Sequence, residues 1–508
     1  MLSKHSKIKT CPGTAAVNIA DSLLGFGDSF YRKTDTNTPP SRQTRSLAFS
    51  ILPNLDAELW LPETVLVTKF KVTKENGDSI HPDAQISAIQ AWALFCWDRI
   101  SVKIGSEVFR NEFPICQHAM FQKLLLQYTP QERETMHHSF GWRDDNIGMR
   151  SANTVDVDPT VTCDCRKCFC AIKQMPQNHG SANANPVTYT DLVALPDKTV
   201  AQIAADHRER KKYNPGLYYR ARMLRASSTS EVETIVPMRY LSGFFDIWSY
   251  YPQRQLIQID MTLADDKSIL CLKNGMDATQ KYTLTITDSY IRAHYCRMLP
   301  ELHSRWTQSI AQLGLRRNIQ LAKDSTSTVV KGAVSAKMTN IFSFGSIPQS
   351  MVIFFTESTV EHGDFSNTKF CYKKQDLKSL KIWKSGKPIE LNNVYESMDL
   401  SSPHTQTQYF LHNEMIKLYG PKAVFESVES QWKDLNMICL SLSPNPRIGD
   451  DYGVTTRGQD RLLSFVQGAS LELDIQFNTP VASDLILHVI GYFDCLVHFN
   501  EYGELVKE

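Results

Sequence analysis

A chain of 508 residues exceeds what one hydrophobic core ordinarily supports, so at least two domains are expected. A net charge of +1, with 21% charged residues, excludes a polybasic protein that condenses nucleic acid by neutralising phosphates. No run of about 18 apolar residues occurs, which excludes a transmembrane helix, and no basic, apolar, small-residue succession at the N-terminus reads as a signal peptide.

The 12 cysteines are widely spread, and Cys271, Cys439 and Cys495 fall on strand faces expected to be buried. They read as reduced thiols packing as small hydrophobes. No Asn-x-Ser/Thr site with a permitted middle residue occurs, so cytosol or nucleus is the expected compartment.

Residues 1–44 carry scattered Lys and Arg, Gly13, Gly25, Gly27 and Pro39–Pro40 without periodicity, and read as a flexible N-terminal arm. From Leu47 the pattern is β. Residues 57–62 and 64–73 read as strands, Asn76–Gly77 as a turn, and 86–97 as an apolar, fully buried stretch. Ile100, Val102 and Ile104 form a strand that turns at Gly105 and returns through Val108 and Phe109. Beyond Pro114, the spacing of Cys116, Met120, Leu124 and Tyr128 predicts a helix. Later, Ile257, Ile259, Met261 and Leu263 alternate with polar residues, and a threonine-rich strand follows with Tyr282, Leu284 and Ile286.

The same succession recurs. Ser379, Leu380, Lys381 and Ile382 echo Ser101, Val102, Lys103 and Ile104, and Gly386 supplies the turn. A helix is expected over 406–418, ended by Gly420. Leu471, Leu473, Ile475 and Phe477 then alternate with Glu472, Asp474 and Gln476, and a long strand follows from Leu485 to Phe499. Hairpin, helix and closing strand pair in the same order imply a duplication. The halves are 45–298 and 315–508, joined by a connector helix over 299–314; the first carries a long excursion over 141–225.

Cys163, Cys165, Cys168 and Cys170 form the one dense cluster of soft ligands. Zinc sites generally wrap the ion with two separated pairs, and four cysteines within eight residues are cramped for that. A redox-sensitive exposed loop is the favoured reading, zinc the alternative, and no other cofactor is expected. Arg208, Arg210, Lys211, Lys212, Arg220, Arg222 and Arg225 interleave with Tyr213, Tyr218 and Tyr219. That pattern suits single-stranded nucleic acid, but near-neutral overall charge favours a solvated loop or an inter-subunit contact. No His-x-His pair, His-Glu-x-x-His, Gly-x-Ser-x-Gly or phosphate loop occurs, and 384–387 reads as a hairpin turn. His488 and His498 read as strand-face residues. No catalytic residue is assigned, and the chain is not expected to be an enzyme; a cupin-like metal oxidase would need histidines clustered on strands.

Two tandem β-sandwiches with few helices predict a double jelly roll. At this point the sequence resembles the double-jelly-roll major capsid proteins (hexons) of adintoviruses and of the related Polinton or Maverick elements. In that family a valine-rich strand, a loop with asparagine and phenylalanine, and a strand with an apolar-Gly turn follow one another; 350–356, 364–372 and 377–389 match them here. The aromatic-rich helix, the short strand and the final glycine-led strand pair match 409–420, 438–444 and 468–502. Two features depart from the family pattern: Ser441-Leu442-Ser443-Pro444 stands where the family has Asp-Leu-Thr-Pro, and the 141–225 excursion is additional.

The resemblance implies a homotrimer, six jelly rolls forming a pseudo-hexameric capsomer that tiles an icosahedral DNA-virus shell beside penton and minor capsid proteins. It implies a virion location, synthesis in the host cytoplasm, assembly there or in the nucleus, and no sequence-specific contact with nucleic acid. A domesticated, host-encoded β-sandwich binding or scaffolding protein is the alternative.

Overall fold

The computed structural model describes residues 26–143, 219–224, 231–342, 347–389, 398–420, 437–442 and 470–507, with short breaks inside these spans. Strand periodicity dominates. In the first half, strands β1 (Phe26–Asp35), β2 (Ser46–Ile51), β3 (Glu58–Lys74), β4 (Trp97–Ile104), β5 (Glu107–Arg110), β6 (Val232–Pro237), β7 (Ile257–Leu263) and β8 (Tyr282–Met298) form two antiparallel sheets. Their orders are β1-β8-β3-β6 and β2-β7-β4-β5. In the second half, β9 (Arg316–Val329), β10 (Ser335–Met338), β11 (Ser350–Glu357), β12 (Leu377–Lys384), β13 (Lys387–Pro388), β14 (Met437–Ser441), β15 (Leu471–Phe477) and β16 (Leu485–Phe499) form β9-β16-β11-β14 and β10-β15-β12-β13. Each strand of the second sandwich holds the place of the strand eight before it.

The expected duplication therefore extends to register. Val102 pairs with Ile259 and Ile104 with Ile257, as Leu380 pairs with Ile475 and Ile382 with Leu473. All eight side chains are buried, because a period of two along paired strands turns both apolar sets to the same face. Helix α1 (Gln117–Gln127) follows β5, and helix α3 (Thr405–Tyr419) takes the same place after β13. Between them, helix α2 (Pro130–Met136) starts at a capping box in which Thr129 and Glu132 satisfy each other's backbone N–H. At Gly420, φ is +90° and the amide donates to Ile416 O, as expected of a C-cap. The 384–387 segment is a hairpin turn: Ser385 and Gly386 both have positive φ, the requirement of a two-residue turn with the right twist.

Two readings need correction. The arm expected over 1–44 reaches too far, since Phe26–Asp35 is a strand paired with β8 over Phe26–Met298 to Asp35–Tyr290. It is an edge strand whose outward residues are polar or exposed, so it lacks the alternation of a half-buried strand. The two strands expected over 57–62 and 64–73 are one strand, Glu58–Lys74, that carries Pro62 through a register shift opposite Arg292–His294. A bulge is where a strand tolerates a proline without losing a ladder bond.

The 86–97 stretch is buried throughout, as expected. Residues described between 300 and 308 are helical, within the expected connector. Cys96, Cys271, Cys296 and Cys439 are buried; burial pushes the Cys296 thiol up to about 11 and those of Cys96 and Cys439 higher than usual. Among the described residues no helix is long and apolar enough to cross a membrane.

Candidate functional site: a buried polar seam between the sandwiches

Strand β11 is buried on both faces. Met351, Ile353 and Phe355 enter the core of the second sandwich with Leu473, Ile475, Leu487 and Val489. Val352 and Phe354 turn the other way and join the core of the first sandwich, together with Ile490 and Tyr492 of β16. This explains why β11 reads as an unbroken apolar run. The outer face of sheet β9-β16-β11-β14 is thus an internal boundary, covered by α1.

The packing there is aromatic. The Phe121 ring of α1 stacks on Phe370 at 4.3 Å and 6°. Phe354 stacks on the His488 imidazole at 4.8 Å and 2° and lies 4.3 Å from Tyr372. Polar groups within this apolar setting are linked across the seam. Gln122 of α1 donates to Tyr372 Oη at 3.3 Å and accepts from Tyr419 Oη at 3.0 Å; Tyr419 Oη also lies 3.3 Å from Tyr492 Oη. Gln117 donates to Phe95 O at 3.0 Å and Trp97 O at 2.8 Å, and its own oxygen accepts from Lys369 Nζ. Burial lowers Lys369 to about 8, opposed by the charge of Glu361.

At the centre, three elements bring together His118 of α1, Glu361 at the end of the short helix Ser358–Glu361, and His488 of β16. Glu361 Oε2 lies 3.6 Å from His118 Nε2 and 3.6 Å from His488 Nε2. One ligand atom from each of the three falls within 4.8 Å of the others. His488 Nδ1 stands 2.9 Å from Asp324 Oδ2, and its Nε2 lies 3.0 Å from Thr356 Oγ1. His118 Nδ1 is 3.5 Å from Tyr372 Oη. Both histidines are buried, whereas Glu361 keeps 29% of its side chain exposed. His118 Nε2 and Glu361 Oε2 are buried atoms without a hydrogen-bond partner. An orphaned buried polar group costs about 1–3 kcal/mol.

Charge divides unevenly. Burial lowers His118 and keeps it neutral, with Glu361 opposing. Burial also disfavours charge on His488, but the close contact with Asp324 and the negative charges of Asp324 and Glu361 overcome it and push His488 up to about 9. Burial works against ionisation of Glu361 too, and the two histidines hold its carboxyl well below the usual carboxylate range.

The same sheet face is used differently in the first sandwich. On β1-β8-β3-β6 the outer residues include Tyr31, Lys33, Lys69, Asp288 and Arg292. Tyr31 is 52% exposed, stacks on His294 at 4.2 Å, and donates to Glu63 Oε2 at 3.2 Å. His294 Nδ1 meets the same carboxylate at 2.9 Å, and the Trp60 ring lies 4.8 Å from His294. Arg292 lies over Tyr31 and Lys33 over Tyr290.

Cys163, Cys165, Cys168 and Cys170 lie outside the described residues. Of the basic-aromatic stretch, Tyr219 and Arg220 are described; Arg220 turns inward and Tyr219 is half-buried. Arg220 is buried, with Nε donating to Ala88 O at 2.8 Å and Nη1 to Arg143 O at 3.1 Å. Tyr219 bonds His138 beneath Arg143. The solvated loop expected there does not extend to these two residues, because the guanidinium satisfies carbonyls of the first sandwich. His488 occupies a strand face, as read from the sequence, but one covered by the other sandwich. The His118–Glu361–His488 grouping escapes sequence reading, since more than 100 residues separate each member from the next and no spacing motif marks them.

No family model matches the sequence, and no curated protein matches it. Solved structures do. A chain in the cryo-EM structure of the Sputnik virophage matches with a TM-score of 0.53 at 11% identity, covering 95% of this chain and 89% of that one. The fold is a double jelly roll. The mavirus major capsid protein is also similar (TM-score 0.46, 11% identity, 94% of this chain and 90% of that one), as is the Faustovirus major capsid protein (0.47, 10%, 92% and 90%). Identities this low bear on fold alone. Within the double jelly roll the polar seam is where one roll meets the other, and the outer face of roll one is its uncovered counterpart.

Proposed function

We propose that this protein is the major capsid protein of a DNA virus of the adintovirus or Polinton kind, and that three copies close into a pseudo-hexameric capsomer. The observation carrying this reading is the unequal use of one sheet face. In roll two the outer face of the β9-β16-β11-β14 sheet is covered by α1 of roll one, while in roll one the corresponding face carries exposed Tyr31, stacked over the buried His294 ring. A contact that joins unlike surfaces head to tail closes into a ring when the rotation allows. Three chains repeating the roll-to-roll contact would cover the open face of each roll one by the next chain's roll two. Side walls of this size suit the roughly 2,000 Å² or more of an obligate interface.

The likeness to a chain of the Sputnik virophage and the sequence resemblance to adintovirus capsid proteins support the same reading. In it, the part of the excursion between its buried ends, Trp142 and Arg220, is an exposed tower, and the residues before β1 tie to neighbouring capsomers, penton and minor capsid proteins within the virion. A net charge of +1 fits a container wall better than a DNA-condensing protein. The role is structural, without catalysis.

Light scattering on the purified chain, with negative-stain images of the same fractions, tests the proposal. A trimer of hexagonal outline, or shells at higher concentration, is expected. A monomer persisting across concentration and salt would refute self-assembly and favour the host-encoded binding or scaffolding alternative.

A further inference from the structure

We propose that His118, Glu361 and His488 bind one divalent transition-metal ion of the zinc class, which ties helix α1 of the first roll to the closing strand of the second. Two imidazoles and a carboxylate are the donor set such ions prefer. Bonds of about 2.0–2.2 Å in a tetrahedron place ligand atoms roughly 3.4 Å apart. Here Glu361 Oε2 lies 3.6 Å from Nε2 of each histidine, and the ligand atoms of all three residues fall within 4.8 Å of one another. The two Glu361–histidine edges need to close by only about 0.2 Å to reach that geometry, and the edge between the histidines by up to about 1.4 Å, a side-chain adjustment at the partly exposed edge of the seam.

A second observation points the same way. His118 Nε2 and Glu361 Oε2 are buried atoms 3.6 Å apart, and neither has a hydrogen-bond partner. Buried polar atoms are normally satisfied, and an ion between them satisfies both.

The surrounding shell is that of a metal site. Metal-bound histidines commonly donate their second ring N–H to a carboxylate or another oxygen, which fixes the tautomer. His488 Nδ1 has Asp324 Oδ2 at 2.9 Å, and His118 Nδ1 has Tyr372 Oη at 3.5 Å, leaving Nε2 of each ring facing the centre. Thr356 Oγ1, 3.0 Å from His488 Nε2, is the group an ion displaces, and binding releases the proton that His488 carries in the metal-free protein. Lys369 donates to Gln117. The partly exposed Glu361 side chain gives an ion its way in. The site is independent of the Cys163–Cys170 cluster and of the capsid reading.

The decisive experiment titrates chelator-treated, full-length protein with Co²⁺ and then Zn²⁺. One Co²⁺ per chain is expected, with visible ligand-field bands but no near-ultraviolet thiolate charge-transfer band, displaced by Zn²⁺. Zinc should raise the melting temperature in a concentration-dependent way. Asp324→Asn should weaken binding by about 10–100-fold, and Glu361→Gln by more, with far-ultraviolet circular dichroism unchanged. A spectrum carrying only thiolate-type bands, no stoichiometric binding, or unchanged affinity in both variants would overturn the proposal. Should either variant fail to fold, the wild-type spectrum and stoichiometry still decide. The same titration on a chain with Cys163, Cys165, Cys168 and Cys170 all changed to Ser removes any thiolate contribution, and loss of the ion there would also refute the site.

Discussion

The outer faces of the β1-β8-β3-β6 and β9-β16-β11-β14 sheets have the same strand order and opposite chemistry. Roll one carries Tyr31, Lys33, Lys69, Asp288 and Arg292 on that face, exposed or half-exposed, and ion pairs there such as Lys69 with Asp288 at 3.5 Å are open to solvent and weak. Roll two places Val352, Phe354, His488, Ile490 and Tyr492 on that face and buries all of them. Topology therefore does not dictate what a sheet face carries. What will cover the face does: an apolar face with a few satisfied polar groups is stable only where a partner excludes water.

Removing the largest anchor on the covered face should break the contrast most strongly. Phe354→Ala deletes a ring that is 1% exposed and stacked on His488, so a loss of about 3–5 kcal/mol is expected in denaturant titrations. Next comes charge. In chelated protein, His488 is raised to about 9 by Asp324 and Glu361 against the cost of burial, with His118 facing it neutral. A raised folded pKa contributes fully below the unfolded value near 6.5 and is lost as pH climbs through 9. Stability should fall by about 2–3 kcal/mol at most between pH 6.5 and 9, and Asp324→Asn should flatten that slope; a flat wild-type profile would remove His488 as its cause.

Tyr419→Phe removes one hydroxyl from the Gln122–Tyr419–Tyr492 chain and should cost about 1–2 kcal/mol by thermal melting. On the open face, Tyr31→Ser should change chain stability by no more than about 0.5 kcal/mol, yet it should lower the trimer fraction seen by light scattering. An unchanged trimer would show that this face is not the one that assembles.

How much of this was legible in the sequence follows from how many faces of each element are buried. Leu471–Phe477 alternates cleanly because one face meets the core and the other meets solvent, and its strand and register were readable. The edge strand Phe26–Asp35 was hidden by its polar outward residues, and the break at Pro62 was mistaken for a strand end because a proline at a bulge looks like one. The double burial of Ser350–Glu357 was visible only as an apolar run, without the identity of its second neighbour. The central polar group was unreadable for a different reason: His118, Glu361 and His488 meet only after the two rolls dock, so no local spacing records them.

The last strand of each roll has a consequence for the order of events during synthesis. Strand β8 joins β1 to β3, so Phe26–Asp35 waits for residues 290–298 before its ladder forms, and Arg316–Val329 waits in the same way for Leu485–Phe499. Pairings this distant along the chain close slowly. Until β16 leaves the ribosome, β11 has neither its central neighbour nor a complete second roll behind it, while its other face already matches helix α1 of the finished first roll. The first roll thus serves as a template on which the second is completed, and a nascent chain halted before residue 485 would display a sticky, unpaired β11 edge.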